Sequence, residues 1–598
     1  MIVVYDIESL SNLFTVTFYE IKNKQYKQFV IHESQNDLKK LVDYLKDVTG
    51  MIGYNNVDYD YKVIHPFVVR PDYSLSGKEL ASQIYNRSSS VVEEKVKERI
   101  IPIIPQRDLF RVWHFNSKAK RVSLKFLQIN MGIENVQEMP FNHTHEVSKD
   151  EIKLILEYNK NDVYSTYRFY ELSLDKIKLR HSLSKKYGVD MGNYSDVKIG
   201  EQIFLKELSK RTGIPEKIIE KGRTERHNIA IKDCIIDIKF DSPEFKEIYE
   251  KYKKMVINDT IKQEGMACTL DGVTYEFGFG GIHACRAPGV YHNIRSADVS
   301  SYYPNLAIGQ KIYPHHLGPI FCEVYENIYK ERKKYPKSSP ESAAYKLALN
   351  GAFGQSNSEW SFFYDPAFTM KITINGQLLL AKLCESITLS KAGHIIMANT
   401  DGIEIDVKDE KTFKEICAKW QQDYKLELEF ANYKKLAVRD ANAYIGVKDT
   451  GEVKEKNDFE TKKEIFKDQS MRIVPMAVRE YFVNGIHIEY TIESCKDINM
   501  FILGKRSHNG THEYVTVEGT DVRRIPLSKY IRYFISKRGG TIIKKIEDRT
   551  INIHLGRKMT LFNKLDVKPF DEYYVDKLFY ITEANKLINS VVTGQLTL

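Results

Sequence analysis

The stretch that decides the fold runs from residue 394 to residue 407 and reads HIIMANTDGIEIDV. An apolar run, a short polar tip with a glycine, and a second run that alternates apolar and polar residues predict a β-hairpin. Asp401 lies at the tip of this hairpin. The hairpin predicts an antiparallel sheet in this part of the chain.

A helix with a mixed face is predicted upstream of the hairpin. Ser339–Pro340 is a favourable helix start, because serine caps helices and proline is tolerated at the first helical position. Lys346, Asn350 and Phe353 follow at helical spacing and share one face. A lysine on an otherwise apolar face is usually a solvated edge, but this combination of side chains can also meet a ligand. A partner helix is predicted at Tyr325–Tyr335.

The first strand of the chain carries a pair of acids. The run Ile2–Tyr5 predicts a buried strand, and Asp6 and Glu8 follow two positions apart, which places them on the same face. A second acidic candidate is Asp60, at the end of the segment GYNNVDYD. Acids at strand ends are often only surface groups, so neither position alone indicates a function.

A later helix carries a third acidic candidate. Ser148 and Glu151 have the spacing of a capping box, which predicts a helix start. Leu154, Tyr158 and Asp162 follow at intervals of four residues. The tyrosine and the aspartate therefore share a face with apolar packing residues.

In this order the acidic segments resemble the DEDDy-type 3′→5′ exonucleases, whose motifs read Asp-x-Glu, Asn…(Phe/Tyr)-Asp and Tyr-x-x-x-Asp. The resemblance implies an RNase-H-like fold with two Mg²⁺ or Mn²⁺ ions that promote in-line hydrolysis of a phosphodiester. It assigns the metal ions to Asp6, Glu8, Asp60 and Asp162, and the orientation of the attacking water to Tyr158. It assigns contacts with the DNA end to Asn55, Tyr59, Ser123, Leu124 and Lys125. Asn56 is the alternative to Asn55, and an ordinary surface lysine is the alternative reading of Lys125.

Three later segments resemble motifs A, B and C of the family B DNA polymerases. They are SADVSSYYP at 296–304, KLALNGAFG at 346–354 and the hairpin tip NTDG at 399–402. The resemblance implies two further metal ions on Asp298 and Asp401, with Lys346 as the third catalytic residue. It assigns the incoming nucleotide to Tyr303, Arg332, Lys346, Asn350 and Phe353, with Tyr303 blocking a ribose 2′-hydroxyl. It assigns contacts with template or primer to Gly280, Gly281 and Tyr444.

The sequence departs from these motifs at several positions. Asn399 stands where motif C has its first aspartate, and Asn442 and Gly278 stand where the family has a lysine and a tyrosine. Tyr302 replaces a leucine of motif A, and Phe353 replaces a tyrosine of motif B. These departures motivate one alternative, a DNA-binding exonuclease whose palm has decayed. The aspartates and the lysine that the motifs retain weigh against it.

The two resemblances together imply an α+β multidomain fold, in which an RNase-H-like exonuclease precedes a right-hand polymerase with an antiparallel-sheet palm, helical fingers and a thumb. The predicted boundaries are residues 1–175 for the exonuclease, 176–277 for a connecting region, 278–318 and 355–460 for the palm, 319–354 for the fingers and 461–598 for the thumb. Basic stretches around Lys505–Arg506 and Arg523–Lys545 are expected to bind duplex phosphates, with solvated charge as the alternative.

The spacing of the motifs bears on how synthesis starts. From Asp298 to Lys346 is 48 positions, and from Asn350 to Asp401 is 51 positions. Protein-primed members of the family carry an additional insertion in each interval, whereas the predicted helices and strands already fill both intervals here. We therefore expect extension from a nucleic-acid primer with weak strand displacement, and a protein-primed enzyme is the alternative.

The composition limits the classes of protein to which the chain can belong. A chain of 598 residues is too long for one core, and a net charge of +9 agrees with a polyanionic partner without establishing one. The 7 cysteines lack Cys-x-x-Cys spacing, which argues against structural zinc and disulfides. No apolar run approaches the roughly 20 residues that span a bilayer.

We expect a soluble, cytoplasmic monomer that binds primer-template DNA and dNTPs and works with a helicase, a clamp or a single-strand-binding protein. The small size and the early first motif suit a phage or mobile-element replicase.

Overall fold

The computed structural model describes residues 1–96, 100–258, 265–507, 510–547, 549–564 and 566–593. The chain folds into two compact units, each assembled from separate stretches. Unit 1 contains residues 1–196, 463–472 and 496–576, and unit 2 contains residues 197–462, 473–495 and 577–598. Both units combine helices with β-sheets, so the predicted mixture of α and β structure in several parts is confirmed at that level.

The N-terminal part of unit 1 is a β-sheet covered by helices on both faces. Its strands are β1 (Ile2–Leu10), β2 (Leu13–Glu20), β3 (Gln25–His32), β4 (Gln35–Asn36), β5 (Gly50–Gly53) and β6 (Gln106–Asp108). Its helices are α1 (Leu38–Leu45), α2 (Asp60–Val69), α3 (Gly77–Val92), α4 (Leu109–Val112), α5 (Leu124–Asn130), α6 (Ile152–Leu172) and α7 (Leu174–Tyr187). The strand order is β4-β3-β2-β1-β5-β6, with β1, β5 and β6 parallel.

The alternation along β1 decides where its acids point. Val3, Tyr5 and Ile7 pack in the same core as residues of α1, α2 and α3, whereas Val4 packs in the core that contains residues of α6. Successive side chains of a strand point to opposite faces, so Asp6 and Glu8 lie on the face that α6 covers.

The helix α6 begins later than its capping-box spacing predicts. The N–H and the hydroxyl of Ser148 both donate to Glu151, at 2.9 and 2.8 Å, and the helix starts only at Ile152. The two residues therefore close a turn ahead of the helix instead of capping it.

Unit 2 is built on an antiparallel sheet. Its strands are β7 (Ile229–Ala230), β8 (Val256–Ile257), β9 (Met266–Leu270), β10 (Val273–Phe277), β11 (His283–Cys285), β12 (Gly289–Val299), β13 (Gly393–Asn399), β14 (Gly402–Val407), β15 (Leu428–Asp440), β16 (Ala443–Lys448) and β17 (Val453–Glu455). The main sheet has the order β17-β16-β15-β12-β14-β13-β11-β10-β9. β13 and β14 pair antiparallel across a short tip, so the predicted hairpin is confirmed.

Helices pack around this sheet. They are α8 (Asp196–Thr212), α9 (Glu216–Ile219), α10 (Pro243–Lys254), α11 (Tyr302–Gly309), α12 (Ile320–Lys333), α13 (Pro340–Gly354), α14 (Pro366–Leu389), α15 (Glu410–Tyr424), α16 (Ile473–Asn484), α17 (Ile488–Ser494) and α18 (Lys577–Val592). The predicted start of α13 is confirmed, because the Ser339 side chain accepts the N–H of Ser342 at 3.1 Å and proline occupies the first turn. α12 begins earlier than its predicted start at Tyr325, directly after Gly318 and Pro319.

Unit 1 is completed by strands from the C-terminal third of the chain. They are β18 (Leu503–Arg506), β19 (Thr511–Glu518), β20 (Asp521–Leu527), β21 (Tyr530–Ser536), β22 (Thr541–Ile546), β23 (Arg549–Asn552) and β24 (Lys558–Leu561). They form a three-stranded sheet, β18-β21-β24, and a four-stranded sheet, β20-β19-β22-β23. The range predicted as the thumb is thus divided between the two units. None of the helices in the described part of the chain combines the length and apolar character needed to cross a membrane.

Candidate active sites

Three carboxylates meet in unit 1 between β1 and α6. Asp6, Glu8 and Asp162 each offer one oxygen, and these oxygens lie within 4.8 Å of one another. We call these residues the three-carboxylate group. Burial raises the pKa of Asp6, and the neighbouring charge of Asp60 raises it further. Crowded carboxylate oxygens are the donors that hard divalent cations prefer, so the group fits a Mg²⁺ or Mn²⁺ ion.

The protein surrounds these carboxylates with its own donors. Lys125 Nζ donates to both oxygens of Asp162, at 2.6 and 2.9 Å. Gln128 Nε2 donates to Asp162 Oδ1 at 2.8 Å, and Asn159 Nδ2 donates to Asp6 Oδ2 at 2.8 Å. The structure therefore brings Lys125 to the group. Gln128 and Asn159 were not identified from the sequence, because no sequence pattern indicates a buried amide.

Asp60 and Tyr158 flank the three-carboxylate group. Asp60 Oδ1 accepts the N–H of Ile7 at 3.2 Å, and burial raises the pKa of Asp60 to about 7. Asp60 lies beside the group, close enough to affect Asp6, but it is not one of the three residues whose oxygens cluster. Lys125 Nζ lies 4.2 Å from the centre of the Tyr158 ring. Burial, followed by the charge of Asp162, raises the pKa of Tyr158.

The segment that contains Asn55 is held by a buried acid. The N–H of Asn55 donates to Asp108 Oδ1 at 2.9 Å, and Asn55 has the left-handed φ of +66° that asparagine tolerates. Asn56 is fully buried, whereas Asn55 is half-buried, so Asn55 is the more accessible of the two. The Tyr59 hydroxyl lies 2.8 Å from the hydroxyl of Ser88. Asp108 is a functional candidate that the sequence analysis missed.

Ser123 and Leu124 start the helix that carries Lys125. Ser123 Oγ accepts the N–H of Phe126 at 3.2 Å and donates to the Tyr530 hydroxyl at 2.7 Å. Leu124 is half-buried. The hydroxyl of Ser123 is therefore already engaged within the protein.

A large cleft in unit 2 collects the residues predicted to bind metal and nucleotide. The large cleft has a volume of about 630 Å³. Its lining includes Asp298, Tyr303, Arg332, Lys346, Asn350, Phe353 and Asp401. One cavity thus brings together carboxylates, cations, an amide and aromatic rings that are far apart in the sequence.

The two aspartates of the cleft are brought together by strand pairing. Asp298 on β12 is paired with Gly402 on β14, and the N–H of Val299 donates to the Asp401 carbonyl at 2.7 Å. A Cβ at Gly402 would lie 2.0 Å from Asp298 Oδ1, so only glycine leaves space for the carboxylate. Burial, followed by the charge of Asp298, raises the pKa of Asp401. The role of Gly402 could not be read from the sequence, because it depends on the strand register.

The cations of the cleft come from two helices. Lys346 and Asn350 are exposed and Phe353 is half-buried, all on one face of α13. Arg332 on α12 donates from Nη1 to Ser301 Oγ at 3.3 Å. Its neighbour Lys333 forms an ion pair with a glutamate at 3.2 Å.

Two adjacent tyrosines of motif A have different surroundings. The Tyr303 ring lies 4.5 Å from the Phe353 ring, centre to centre, in the large cleft. Tyr302 is 4% exposed, and its hydroxyl donates to the Gly376 carbonyl at 2.6 Å. Both tyrosines line the large cleft, and Tyr303 is the more exposed of the two.

Asn399 has a structural role at the hairpin tip. Its Nδ2 donates to the Ala441 carbonyl at 2.7 Å and to Asn442 Oδ1 at 3.2 Å. Its Oδ1 accepts the hydroxyl of Thr400 at 3.0 Å. An aspartate could not make the first two bonds, because it lacks the amide donor.

Of the two glycines before β11, one packs against the same tip. A Cβ at Gly281 would lie 2.4 Å from Thr400 Oγ1, so close packing explains this glycine. Gly280 has open space around its Cα, and its carbonyl accepts Gln377 Nε2 at 2.9 Å. Gln377, on α14, was not found from the sequence.

Tyr444 lines a second, smaller cavity of about 280 Å³ that it shares with Asp298 and Asp401. Glu404 and Lys454 line the same cavity and were also missed. Glu404 is 3% exposed, and burial and then the charge of Asp298 raise its pKa to about 8. Glu404 pairs with Ser296 on β12. Ser296 and Asp298 are two positions apart and therefore point to the same face of the sheet, so Glu404 lies on the face that carries Asp298.

No family model and no curated protein is similar to this chain. Among solved structures, the chain is similar to the family B DNA polymerase from the hyperthermophilic archaeon Pyrobaculum calidifontis. The match covers 99% of this chain and 77% of that chain, with 14% sequence identity and a TM-score of 0.43. Similarity at this level does not establish a shared activity, so the function must be inferred from the side chains of this chain.

Proposed function

We propose that the chain is a template-directed DNA polymerase of the family B type with its own 3′→5′ exonuclease. The observation that carries the proposal is the large cleft, which contains two carboxylates together with Lys346 and Arg332. A nucleoside triphosphate carries negative charge and arrives with a divalent cation, and such a site offers ligands for both.

The residues of the cleft divide the work of nucleotide addition. Asp298 and Asp401 would hold two Mg²⁺ ions, which when bound lower the pKa of a 3′-hydroxyl and stabilise the charge on the phosphates. Lys346 and Arg332 would neutralise the triphosphate, since cations held on helices bind phosphate oxygens without large rearrangement. Tyr303 contacts the sugar with its ring.

The residues of unit 1 suit hydrolysis of a single-stranded 3′ end. The three-carboxylate group and the adjacent Asp60 would hold two metal ions, which when bound activate water and stabilise the displaced phosphate. Lys125 and Asn159 fix two of these carboxylates in advance. The Tyr158 hydroxyl would orient the attacking water, and its raised pKa keeps it protonated for that purpose.

A primer-extension experiment tests both halves of the proposal. The purified chain is incubated with Mg²⁺ and a 5′-labelled primer on a longer template, with and without dNTPs. We expect shortening of the primer without dNTPs and template-dependent lengthening with them. Shortening under both conditions would favour an exonuclease with a decayed palm, and an unchanged primer would contradict both activities.

The intervals between the motifs support a nucleic-acid primer. Between Asp298 and Lys346 lie α11, α12 and the first turns of α13, and between Asn350 and Asp401 lie the end of α13, α14 and β13. These elements occupy the two intervals, which are fully described, and they include no additional subdomain. We propose that the enzyme extends a DNA or RNA primer and needs a helicase, a clamp or a single-strand-binding protein for strand displacement. A covalent protein–dNMP adduct in the native replicon would contradict this part.

A further inference from the structure

The C-terminal strands of unit 1 are built onto the helix that carries Lys125. A Cβ at Gly504, on β18, would lie 3.0 Å from Ile129 Cγ2 on α5. Ile129, Val136 and Tyr530 share one buried apolar cluster. The N–H of Val136 also donates to the carbonyl of Asn563 at 2.9 Å. Close packing, an apolar cluster and a main-chain bond thus hold these strands in place against α5.

Tyr530, the first residue of β21, connects the strands to the exonuclease site. Its hydroxyl accepts the Ser123 hydroxyl at 2.7 Å, and its N–H donates to Glu138 Oε1 at 3.4 Å. The side chain is 5% exposed. Ser123 lies two positions before Lys125, whose ammonium group binds Asp162 of the three-carboxylate group. Tyr530 is therefore connected through Ser123 and Lys125 to Asp162, a carboxylate that would hold metal.

Arg506 covers Tyr530 from the solvent side. The two residues are paired across β18 and β21, and the Arg506 guanidinium lies 5.4 Å from the centre of the Tyr530 ring. Arg506 is itself exposed, as are its neighbours Lys505 and Lys529. Glu138 accepts the N–H of Tyr530, and burial raises the pKa of this carboxyl. An exposed arginine stacked on a fixed aromatic ring is pre-oriented for a phosphate.

We propose that Arg506, seated on Tyr530, binds a backbone phosphate of the single-stranded DNA that enters the three-carboxylate group. The basic strand β18 then serves the exonuclease, and not a thumb that holds duplex DNA. Tyr530 acts as a positioning residue, because it fixes both Arg506 and Ser123. This inference rests on the exonuclease activity proposed above and adds the residues that guide its substrate.

The chain offers a matched control for this pair. The Arg538 guanidinium lies 3.5 Å from the centre of the Tyr574 ring, also in unit 1 and also in a stacked arrangement. Neither residue contacts Ser123 or Glu138 among the contacts of the described residues. Arg506→Ala and Arg538→Ala therefore remove the same type of side chain and the same type of stacking, and only one of them should affect the DNA end.

The experiment measures degradation of a 5′-labelled single-stranded oligonucleotide over a range of DNA and salt concentrations. For Arg506→Ala we expect KM to rise about tenfold with a much smaller change in kcat. We expect the slope of log(kcat/KM) against log salt to flatten by about 0.7, the value for one phosphate contact on a single strand. Arg506→Lys should keep the slope, and Arg538→Ala should match the wild type in KM, kcat and slope.

Tyr530→Phe tests the positioning role separately. It keeps the ring beneath Arg506 and removes only the hydroxyl that accepts the Ser123 proton. We expect kcat/KM for degradation to fall about fivefold with an unchanged salt slope, which is the effect expected for one lost hydrogen bond.

The outcomes separate this inference from the activity on which it rests. An active wild type with an unaffected Arg506→Ala variant would overturn the inference alone. An equal loss of primer extension and of degradation in Arg506→Ala would also overturn it, because the arginine would then hold duplex DNA. A wild type that leaves the oligonucleotide intact would overturn the exonuclease proposal itself, and this inference with it.

Discussion

The two candidate sites treat their carboxylates in opposite ways. In unit 1, the chain's own donors already bind the acids, since Lys125 holds Asp162 and Asn159 holds Asp6. In unit 2, Asp298 and Asp401 share a wide cleft with Lys346, whose side chain is exposed. The first site balances its charge internally, whereas the second leaves opposite charges available for a ligand.

This difference indicates what each site must do. A site that receives a single-stranded end needs fixed carboxylates, because the substrate, unlike a nucleoside triphosphate, does not arrive with a divalent cation. A site that receives a triphosphate must leave room for a charged ligand and its cation. The same residue types therefore produce a closed arrangement in unit 1 and an open one in unit 2.

The largest effects should come from removing the carboxylates of one site at a time. We expect Asp298→Ala to reduce extension by roughly 10³-fold or more and to preserve shortening, because each proposed site would hold metal with its own carboxylates. Asp6→Ala combined with Glu8→Ala should do the reverse. Both are measured on one labelled primer with and without dNTPs. Near-normal incorporation by Asp298→Ala would show that the large cleft is not the site of synthesis.

A single methyl group should disturb the open site almost as strongly. Gly402→Ala puts a Cβ 2.0 Å from Asp298 Oδ1, so the carboxylate must move. We expect extension to fall about 10²-fold, the typical cost of misplacing a reacting group by about 1 Å. Gly289→Ala, in the same sheet, is the control, because its Cβ would meet its nearest neighbour at an ordinary 3.5 Å. Equal rates in the two variants would contradict the assigned role of Gly402.

The internal cation of the closed site should matter only for degradation. Lys125→Met removes the donor to both oxygens of Asp162, and we expect shortening to slow about 10- to 100-fold, as for other residues that orient metal ligands. Lys160→Met is the matched control, since Lys160 lies 4.7 Å over the ring of Tyr26 instead. If Lys125→Met degrades DNA like the wild type, the ion pair between Lys125 and Asp162 has no role in degradation.

Tyr303 should set the preference for deoxyribonucleotides. Tyr303→Val removes the ring from the cleft, and we expect ribonucleotide incorporation relative to deoxynucleotide incorporation to rise roughly 10-fold or more. Tyr302→Phe should leave the ratio unchanged, because Tyr302 is buried and bonded to Gly376. Unchanged discrimination in an active Tyr303→Val enzyme would move the sugar contact to another residue.

The smallest effect is expected at Asn399. Asn399→Asp loses the donor to the Ala441 carbonyl, and we expect a loss of stability of about 1 kcal/mol with extension reduced fivefold or less. Thermal unfolding and extension rates measure the two effects. An inert wild type whose Asn399→Asp variant synthesises DNA would establish the decayed-palm alternative.

Local sequence patterns predicted the helices and strands that carry these sites better than they predicted the residues that surround the sites. The hairpin at 394–407 and the capped start of α13 were predictable, because alternation and capping act within a few residues. The fixed position of Gly402 depends on the register between β12 and β14, which no local pattern encodes. The bond between Ser123 and Tyr530 spans 407 positions. Buried polar groups such as Gln128 and Glu404 could not be identified from the sequence, because tertiary packing determines their partners.

The division of the chain into stretches has a consequence for biosynthesis. Unit 1 needs residues 496–576, which leave the ribosome only after most of unit 2 has been made. Until then Ile129 and Val136 lack the cover that Tyr530 provides. Closing so distant a contact is slow, because the entropy lost on joining chain ends grows with their separation. The nascent N-terminal part therefore exposes an apolar surface until residues 496–576 have been made. A fragment that stops at Asp196 would expose that surface permanently.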